Sequence, residues 1–343
     1  MSHADLTDRR PVVLVTGANS LLGTNVVERL LGQGYQVRGL VRDACRFHLA
    51  PHPRLVLAEG DFTDPETIWK ALKGCDHVVH VAACTEQGIP DYGHYRKINV
   101  DATHRLFLFA AKAGVRRLVY VSTANCFGFG TKENPGDETR PPCPPFTGSL
   151  YARSKQEAQY LLLRLKHLMD VVVVNPTFML GAYDSKPSSG QIILMGYRKK
   201  VVFCPPGGKN FIHAGDAAAG VVAALESGRS GEAYLLSGEN LTYREFFRKL
   251  NAVTGHRSVY VTIPRFVLTA AGYLGNSLQA VGISNRFTLP NMKILCIGNY
   301  YSNDKAADTL GLNPRPIETA LHAAIRWFRE NGIIKMPKVH FFI

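Results

Sequence analysis

The sequence has 343 residues, of which 46% are hydrophobic and 20% charged, an ordinary balance for a globular protein with a large core. Its formal charge is +13 at pH 7. The basic residues are dispersed and none of their short clusters alternates with aromatic residues, so we expect no nucleic-acid groove. The positive charge instead favours anionic small molecules, including a phosphorylated cofactor. No uncharged apolar run reaches the ~18 residues of a membrane span, so we expect no integral span.

The seven cysteines include no C-x-x-C pair, which predicts a reducing compartment and no disulfide framework. Residues 1–10 are polar and lack the apolar region of a signal peptide, so we expect a cytoplasmic protein. His77 and His80 lie in an apolar run that is typical of a strand, where positions i and i+3 point to opposite faces. Ordinary packing explains this pair, and we predict no metal site.

The first half of the chain alternates between predicted strands and predicted helices. The strands cover residues 12–15, 36–41, 54–58, 77–82, 117–122 and 171–174, and the helices cover 25–31, 65–72, 95–113 and a segment that contains Tyr151. Such alternation implies right-handed crossovers and an α/β fold with a doubly wound parallel Rossmann sheet, covered on both faces. Residues 129–149 contain five prolines and are predicted to form a surface loop.

The pattern loosens after Pro176. Predicted helices cover residues 190–199, 216–225, 241–253 and 317–331, and predicted strands cover 201–203, 232–236 and 259–263. The apolar segment 266–281 either lines a pocket or packs in the core. We predict a Rossmann domain over residues 9–180, to which 210–237 return, and a smaller C-terminal α/β substrate lobe from 181–209 and 238–335.

A glycine-bearing turn, TGANSLLG at residues 16–23, lies between the first strand and the first helix. Gly17 permits a tight turn after the strand, and Gly23 lets the helix pack close to the sheet. The start of the helix then offers free backbone N–H groups and a positive dipole to a pyrophosphate. This position in an alternating chain favours dinucleotide binding over a structural turn. The predicted contacts are Gly17, Asn19, Ser20, Leu21, Leu22 and Gly23.

The end of the second strand normally distinguishes the two nicotinamide cofactors. Arg42 stands there and offers a guanidinium to a 2′-phosphate, which favours NADP(H) over NAD(H), although Asp43 could still meet a ribose. Asp61 and Phe62 follow the third strand and are placed to flank the adenine. The remaining candidate cofactor contacts are Ala82, Ala83, Lys155 and Pro176.

Tyr151 and Lys155 stand four residues apart on a predicted helix, so both lie on one face within contact distance. A phenol normally loses its proton near pH ~10, and a neighbouring ammonium is expected to lower that pKa. Tyr151 would then exchange a proton with a substrate oxygen near neutral pH.

These motifs, in this order, resemble the extended short-chain dehydrogenase/reductases, and especially members similar to dihydroflavonol reductases and 3β-hydroxysteroid dehydrogenases. The matching stretches are TGANSLLG, GDFTD, INVDAT, YVSTANCFG, YARSK, NFIHAGDAAAG and the C-terminal YYSNDKAADTLGLNPRPIETAL. The resemblance implies that Thr123 is the catalytic Ser/Thr, Tyr151 the acid/base and Lys155 the ribose-binding residue. Asn99 takes the place of the family's helix asparagine.

The chain departs from that family pattern at two positions. Ser20 replaces the middle glycine of the loop, and Asn175 precedes Pro176 where many members have Arg-Pro. The first departure affects the pyrophosphate geometry more than binding itself.

The function favoured by these observations is reversible hydride transfer between NADP(H) and a ketone or alcohol on an apolar small-molecule substrate. One alternative is a nucleotide-sugar epimerase with tightly bound NAD. Epimerase-like members usually carry an Arg where this chain has Lys209, which binds phosphate only as a point charge. Another alternative is a non-catalytic protein that senses the cofactor. The fold also allows a homodimer.

Overall fold

A computed structural model of the protein describes residues 10–334 except 87, 284 and 286. Its strands are β1 (Val12–Thr16), β2 (Gln36–Val41), β3 (Leu55–Glu59), β4 (His77–His80), β5 (Arg117–Val121), β6 (Asp170–Pro176), β7 (Phe178–Leu180), β8 (Val201–Cys204), β9 (Gly208–His213), β10 (Ala233–Leu236), β11 (Glu239–Thr242), β12 (Val259–Thr262) and β13 (Gly298–Asn299). Its α-helices are α1 (Leu21–Gly32), α2 (Pro65–Leu72), α3 (Tyr92–Tyr95), α4 (Ala102–Lys112), α5 (Leu150–Arg164), α6 (Gln191–Gly196), α7 (Ala214–Ser227), α8 (Tyr243–Thr254), α9 (Arg265–Ala280), α10 (Leu289–Ile294), α11 (Asp304–Leu310) and α12 (Ile317–Glu330).

Seven of the strands form one parallel sheet in the order β10-β6-β5-β4-β1-β2-β3. The order reverses direction between β1 and β4, which is the topological switch point where open α/β sheets bind ligands beyond the carboxyl ends of their strands. The predicted doubly wound parallel sheet is therefore confirmed.

Both faces of this sheet are covered, because successive side chains of each buried strand point to opposite sides. Val13 and Val15 of β1 face a core that includes residues from α1 and α7. Val12 and Leu14 face a second core that includes residues from α2, α4 and α5. The near-continuous apolar composition of the strands follows from this two-sided burial.

A second layer is built from shorter strands in the C-terminal half. β9 pairs with β7, β11 and β13, while β8 and β12 form a separate parallel pair. A third core packs these elements against α6, α8 and α12. Because β9 belongs to this second sheet, the chain returns to the central layer with α7 at Ala214 and not at residue 210. The division into two domains stays a prediction, and its outer bounds, residues 9 and 335, lie outside the described residues.

Two segments differ from the sequence expectation. The predicted helix 95–113 contains a π-helical segment, Arg96–Asp101, between α3 and α4, so its regular part begins at Ala102. The apolar segment 266–281 forms α9, and several of its large side chains are exposed instead of lining a core. Within the part of the chain that the structure describes, no helix is long and apolar enough to cross a membrane.

Candidate active site

The glycine turn lies between β1 and α1, at the carboxyl edge of the central sheet. Gly17 has φ +65°, and a Cβ there would stand 2.9 Å from the Cα and N of Ala82. A Cβ on Gly23 would stand 2.1 Å from the carbonyl oxygen of Gly17. Both positions therefore require glycine, and the turn brings backbone close to the end of β4.

Ser20, the departure from the family loop, is the N-cap of α1. Its Oγ accepts a hydrogen bond from the Gly23 amide at 3.0 Å. The amides of Leu21 and Leu22 precede it in the first turn, where backbone N–H groups have no acceptor within the helix. The serine thus stabilises the helix start, while Asn19, Leu21 and Leu22 stand at a helix N-terminus, where an anion is favoured by the helix dipole.

The residues predicted at the adenine end differ in how freely they can bind a ligand. Arg42 is exposed at the end of β2, and among the described residues its guanidinium has no hydrogen-bond or ion-pair partner. Asp43 accepts from the Cys45 amide at 3.0 Å and pairs with Arg46 at 2.9 Å. Asp61 is exposed and accepts from the Thr63 amide at 2.8 Å.

Three other predicted cofactor contacts also stand at the carboxyl edge of the sheet. Ala82 and Ala83 follow β4 and are partly exposed, and Pro176 is the buried last residue of β6. The ring of Phe62, by contrast, packs against His80 with ring centroids 5.3 Å apart. The side chain of Phe62 is therefore partly buried and packs against the core near the position predicted for the adenine.

Thr123 and Tyr151 meet at this same edge. Thr123 follows the end of β5 and begins a short 3₁₀ turn, while Tyr151 stands in the first turn of α5, which is capped by Ser149. The Thr123 hydroxyl lies close enough to the Tyr151 phenol to lower the pKa of that phenol. Ser122, the neighbour of Thr123, is buried and lies 3.4 Å from Cys126 Sγ instead. Two hydroxyl groups are thus brought together where a single carbonyl oxygen could contact both.

Lys155 is buried behind this pair with its ammonium turned toward the sheet. Its Nζ donates to the carbonyl oxygen of Val121 at 2.7 Å and lies 4.2 Å from the centre of the Tyr120 ring. Burial lowers the pKa of Lys155 to about 7. Near neutral pH this side chain therefore exchanges between its charged and neutral forms.

The prediction that Lys155 lowers the pKa of the Tyr151 phenol is wrong in this structure. Burial raises the pKa of Tyr151 above its ordinary value, and the nearby Thr123 hydroxyl opposes that rise only in part. The ammonium of Lys155 interacts with Val121 and Tyr120 and is not among the largest causes of this shift. Tyr151 is consequently protonated at neutral pH and is suited to donate a proton.

Asn99 lies in the π-helical segment and connects two parts of the site. Its side chain accepts from the Cys84 amide at 2.7 Å and donates to the Cys84 carbonyl oxygen at 3.0 Å. It also donates to Ser154 Oγ at 2.9 Å, and Ser154 in turn donates to the carbonyl oxygen of Tyr151 at 2.8 Å. Asn99 therefore fixes α5 against the loop after β4, and among the described residues its side chain makes no hydrogen bond to Lys155.

The comparison with known proteins agrees with this geometry. The model of the NAD dependent epimerase/dehydratase family matches residues 13–237. The chain belongs to this family. The resemblance to extended short-chain dehydrogenase/reductases is thereby confirmed, and the chain is an NAD(P)-dependent enzyme.

Several family members are similar over almost the whole chain. A putative dihydroflavonol 4-reductase from Synechocystis is 32% identical over 94% of this chain and 95% of the relative. Sterol demethylase protein B from Methylococcus capsulatus is 30% identical over 94% of this chain and 99% of the relative. The solved structure of gox2253 is 33% identical with a TM-score of 0.81, covering 95% of this chain and all of that one.

Asn175, one of the two departures from the pattern of this epimerase/dehydratase family, holds the backbone of Thr123 in place. Asn175 is fully buried and donates to the carbonyl oxygen of Thr123 and to Gln159 Oε1, both at 2.8 Å. The sequence shows an asparagine before Pro176, but it does not indicate which groups the side chain of Asn175 contacts.

His80 is buried, as its place in an apolar strand predicts, and its ring contacts two threonines of neighbouring elements. Its ring nitrogens lie 2.7 Å from Thr16 Oγ1 and 2.9 Å from Thr103 Oγ1. Thr16 Oγ1 also accepts from the Ala82 amide at 3.2 Å, so the group links β1 to β4 beside the glycine turn. Burial lowers the pKa of His80 to about 3, and the ring is neutral at physiological pH.

A cleft of about 1250 Å³ lies between the loop that leads to α5 and the segment that begins with α9. One wall is the loop that contains Phe129 and Gly148, and the opposite wall is formed by α9, α10 and the segment that follows them. Neither Thr123 nor Tyr151 lines the cleft, although Gly148 precedes Tyr151 by three residues. We expect the cleft to be the outer part of a path toward the hydroxyl pair.

The cofactor turn gives a prediction with a control in the same helix. Gly23→Ala should lower the free energy of unfolding by about 1–3 kcal/mol and weaken dinucleotide binding, because the new Cβ displaces the turn. Gly32→Ala adds the same methyl group at the exposed end of α1, where nothing lies within 4 Å. That control should be neutral or slightly stabilising. Thermal unfolding and NADPH titration would check both variants; equal effects would contradict the steric role of Gly23.

Proposed function

We propose that this enzyme is an NADP(H)-dependent oxidoreductase acting on a ketone or alcohol of an apolar substrate, in the manner of dihydroflavonol or hydroxysteroid chemistry. The observation that carries the proposal is the meeting of Thr123 with a protonated Tyr151 at the carboxyl edge of the sheet. Relatives named as a dihydroflavonol 4-reductase and a sterol demethylase protein support the substrate class.

In the reductive direction, the two hydroxyl groups would hold the substrate carbonyl oxygen. Tyr151 would donate its proton to that oxygen as negative charge develops there, while Thr123 would donate a hydrogen bond that fixes its position. A bound nicotinamide would supply the hydride. Lys155 would exchange protons behind the phenol, since its pKa lies at about 7. In the oxidative direction, Tyr151 would accept the alcohol proton.

The chain offers a consistent set of groups for the dinucleotide. The glycine turn admits backbone close to the ligand, and the N-terminus of α1 favours a pyrophosphate. The unpartnered guanidinium of Arg42 is the group for a 2′-phosphate, because the neighbouring Asp43 is already bonded to Arg46.

Replacing Arg42 therefore tests cofactor choice. We expect Arg42→Ala to raise KM for NADPH by about tenfold or more, since a charge-assisted contact is lost, while KM for NADH changes little. Arg29→Ala removes a guanidinium from an exposed position on α1 and serves as the control. Steady-state kinetics with both cofactors measures the effect; an unchanged NADPH-to-NADH ratio would argue against this role.

The reaction class can be tested with the purified protein. We would supply NADPH or NADH with ketosteroids, flavanones and small aldehydes, and assay UDP-sugars separately for epimerisation. Carbonyl-dependent consumption of NADPH supports the proposal. Epimerisation of a UDP-sugar without net cofactor consumption would replace it with the epimerase alternative.

One observation keeps the epimerase as the second candidate. Lys209 of β9 is partly buried, and its ammonium lies 4.9 Å from the centre of the Phe178 ring. Burial lowers its pKa to about 8, and no carboxylate contributes to that pKa. Such a cation could meet a substrate phosphate, although without the bidentate geometry of arginine. We favour the reductase because two relatives that are 32% and 30% identical to this chain are named for reductive and sterol chemistry.

We also propose a cytoplasmic location and a homodimer. The location is supported by the seven cysteines, none of which forms a disulfide in the described structure. Light scattering on the purified protein would measure the dimer, and a monomeric mass would exclude it under those conditions.

A further inference from the structure

Large apolar side chains are exposed mainly in one part of the molecule. Of eighteen such residues in the described chain, thirteen lie between Met195 and Phe287, and only five lie elsewhere. Globular proteins rarely leave contiguous apolar surface uncovered unless it serves an interaction. The C-terminal elements therefore carry a surface that is unlike the rest of the protein.

Helix α9 directs its two faces to different environments. Its small residues Gly272 and Gly275 allow close packing, and a Cβ on Gly275 would stand 1.9 Å from the Phe287 carbonyl oxygen. The inner side also contributes Arg265, Thr269 and Asn276 to the cleft. The large residues point outward: Phe266 is 74% exposed, Tyr273 60%, Leu274 64% and Leu278 36%. We call these four residues the outer face of α9.

The strand pair just before α9 adds to this surface. Val259 and Val261 of β12 are opposite Val201 and Phe203 of β8 in the parallel register, so all four side chains share one side of the pair. All four are exposed, whereas the alternate residues Val202 and Cys204 are buried. Only residues 263 and 264 separate β12 from α9.

The charge of the protein is concentrated in the same segments. Residues 185–215 and 246–303 together contain eleven Lys and Arg residues and no Asp or Glu. The rest of the chain has 29 basic and 27 acidic residues, so nearly all of the +13 net charge belongs to these two segments. The exposed apolar side chains and the excess of positive charge thus occur in the same part of the chain, although Lys249 there is paired with Glu239 and Glu318.

We propose that the outer face of α9 docks this protein onto an anionic lipid bilayer. Exposed Phe, Tyr and Leu side chains on a helix can enter the interfacial region of a bilayer, and surrounding Lys and Arg residues are attracted to anionic headgroups. A second copy of the chain fits less well, because two surfaces with an excess of basic residues would repel each other. Nucleic acid fits less well too, since it offers no apolar environment for Leu274 or Phe266.

The position of α9 gives this docking a functional consequence. Because its inner side lines the cleft while its outer face meets the bilayer, the docked enzyme would hold the cleft next to the lipid phase. An apolar substrate could then pass from the bilayer to the cleft with little exposure to water. Docking requires no turnover, so it can be tested independently of the proposed reaction.

The test is flotation of the full-length protein with vesicles. We expect binding to phosphatidylcholine vesicles that contain phosphatidylglycerol, weak binding to pure phosphatidylcholine, and release at high salt. A double variant, Phe266→Asp with Leu274→Asp, should weaken binding by at least about tenfold, because two apolar anchors become charged. Tyr160→Asp with Leu168→Asp changes two exposed apolar residues of the other half and should bind like the wild type.

Unchanged melting temperatures would show that each variant is folded. The proposal is overturned if the wild type fails to float with anionic vesicles, or if both double variants bind equally well. It is also overturned if light scattering shows a dimer that only the α9 variant dissociates, since a second copy would then cover this face.

Discussion

Tyr151→Phe is expected to lower kcat/KM for carbonyl reduction by about 10²–10⁴-fold, the usual contribution of a positioned general acid. The change removes one oxygen from a partly buried side chain and leaves the ring in place. Lys155 keeps its contacts with Val121 and Tyr120, neither of which involves the phenol oxygen. NADPH affinity should therefore stay within about twofold, and the loss should appear in kcat more than in KM.

The control for this change is on the same helix. Tyr160 of α5 is 64% exposed, and Tyr160→Phe should leave both turnover and NADPH affinity unchanged. Steady-state kinetics gives kcat and KM, and quenching of protein fluorescence on titration with NADPH gives the affinity. Full turnover by Tyr151→Phe would remove the phenol from the mechanism. Loss of NADPH binding would instead indicate a structural role.

Much of the fold was predictable because local patterns and long-range packing agree there. The strands of the central sheet are apolar on both faces, and the glycine turn has steric requirements that only Gly17 and Gly23 meet. Tyr151 was placed on a helix face by its spacing to Lys155. Its position near Thr123 could be expected because Thr123 follows a strand and Tyr151 begins the next long helix.

The remaining features depend on contacts between residues distant in sequence. Nothing in the local pattern of Asn175 indicates that its amide holds the Thr123 carbonyl, because the two are 52 residues apart. The direction of the Lys155 ammonium was likewise set by a carbonyl group on β5 and not by the neighbouring turn of its own helix. In α9, apolar composition suggested burial, yet its glycines form the packed side.

Lys155→Met should lower kcat/KM by at least about 10²-fold, since the proton-exchanging group behind the phenol is lost. The free energy of unfolding should rise, because methionine fills similar space without the cost of burying an ammonium. The lost hydrogen bond to Val121 offsets only part of this gain. We therefore expect an inactive enzyme that unfolds at a higher temperature than the wild type at pH 6.

The pH dependence gives this prediction its sharpest test. The folded pKa of Lys155 is about 7, whereas the unfolded side chain keeps the ordinary value of 10.5. Between these values the unfolded state binds more protons, so the contribution of Lys155 to stability rises with pH across this interval. Below pH ~7 Lys155 is protonated in both the folded and the unfolded state, and the free-energy cost of burying its ammonium is complete. The advantage of Lys155→Met should thus be greatest below pH 7 and shrink toward pH 10.5.

Chemical denaturation at several pH values would measure this difference in the free energy of unfolding. Lys112→Met removes an ammonium from an exposed position on α4 and should show no comparable dependence on pH. A stability difference between Lys155→Met and the wild type that stays constant from pH 6 to pH 10.5 would mean that Lys155 titrates normally in the folded protein. In that case its ammonium would remain charged at neutral pH, and its role behind Tyr151 would be electrostatic instead of proton exchange.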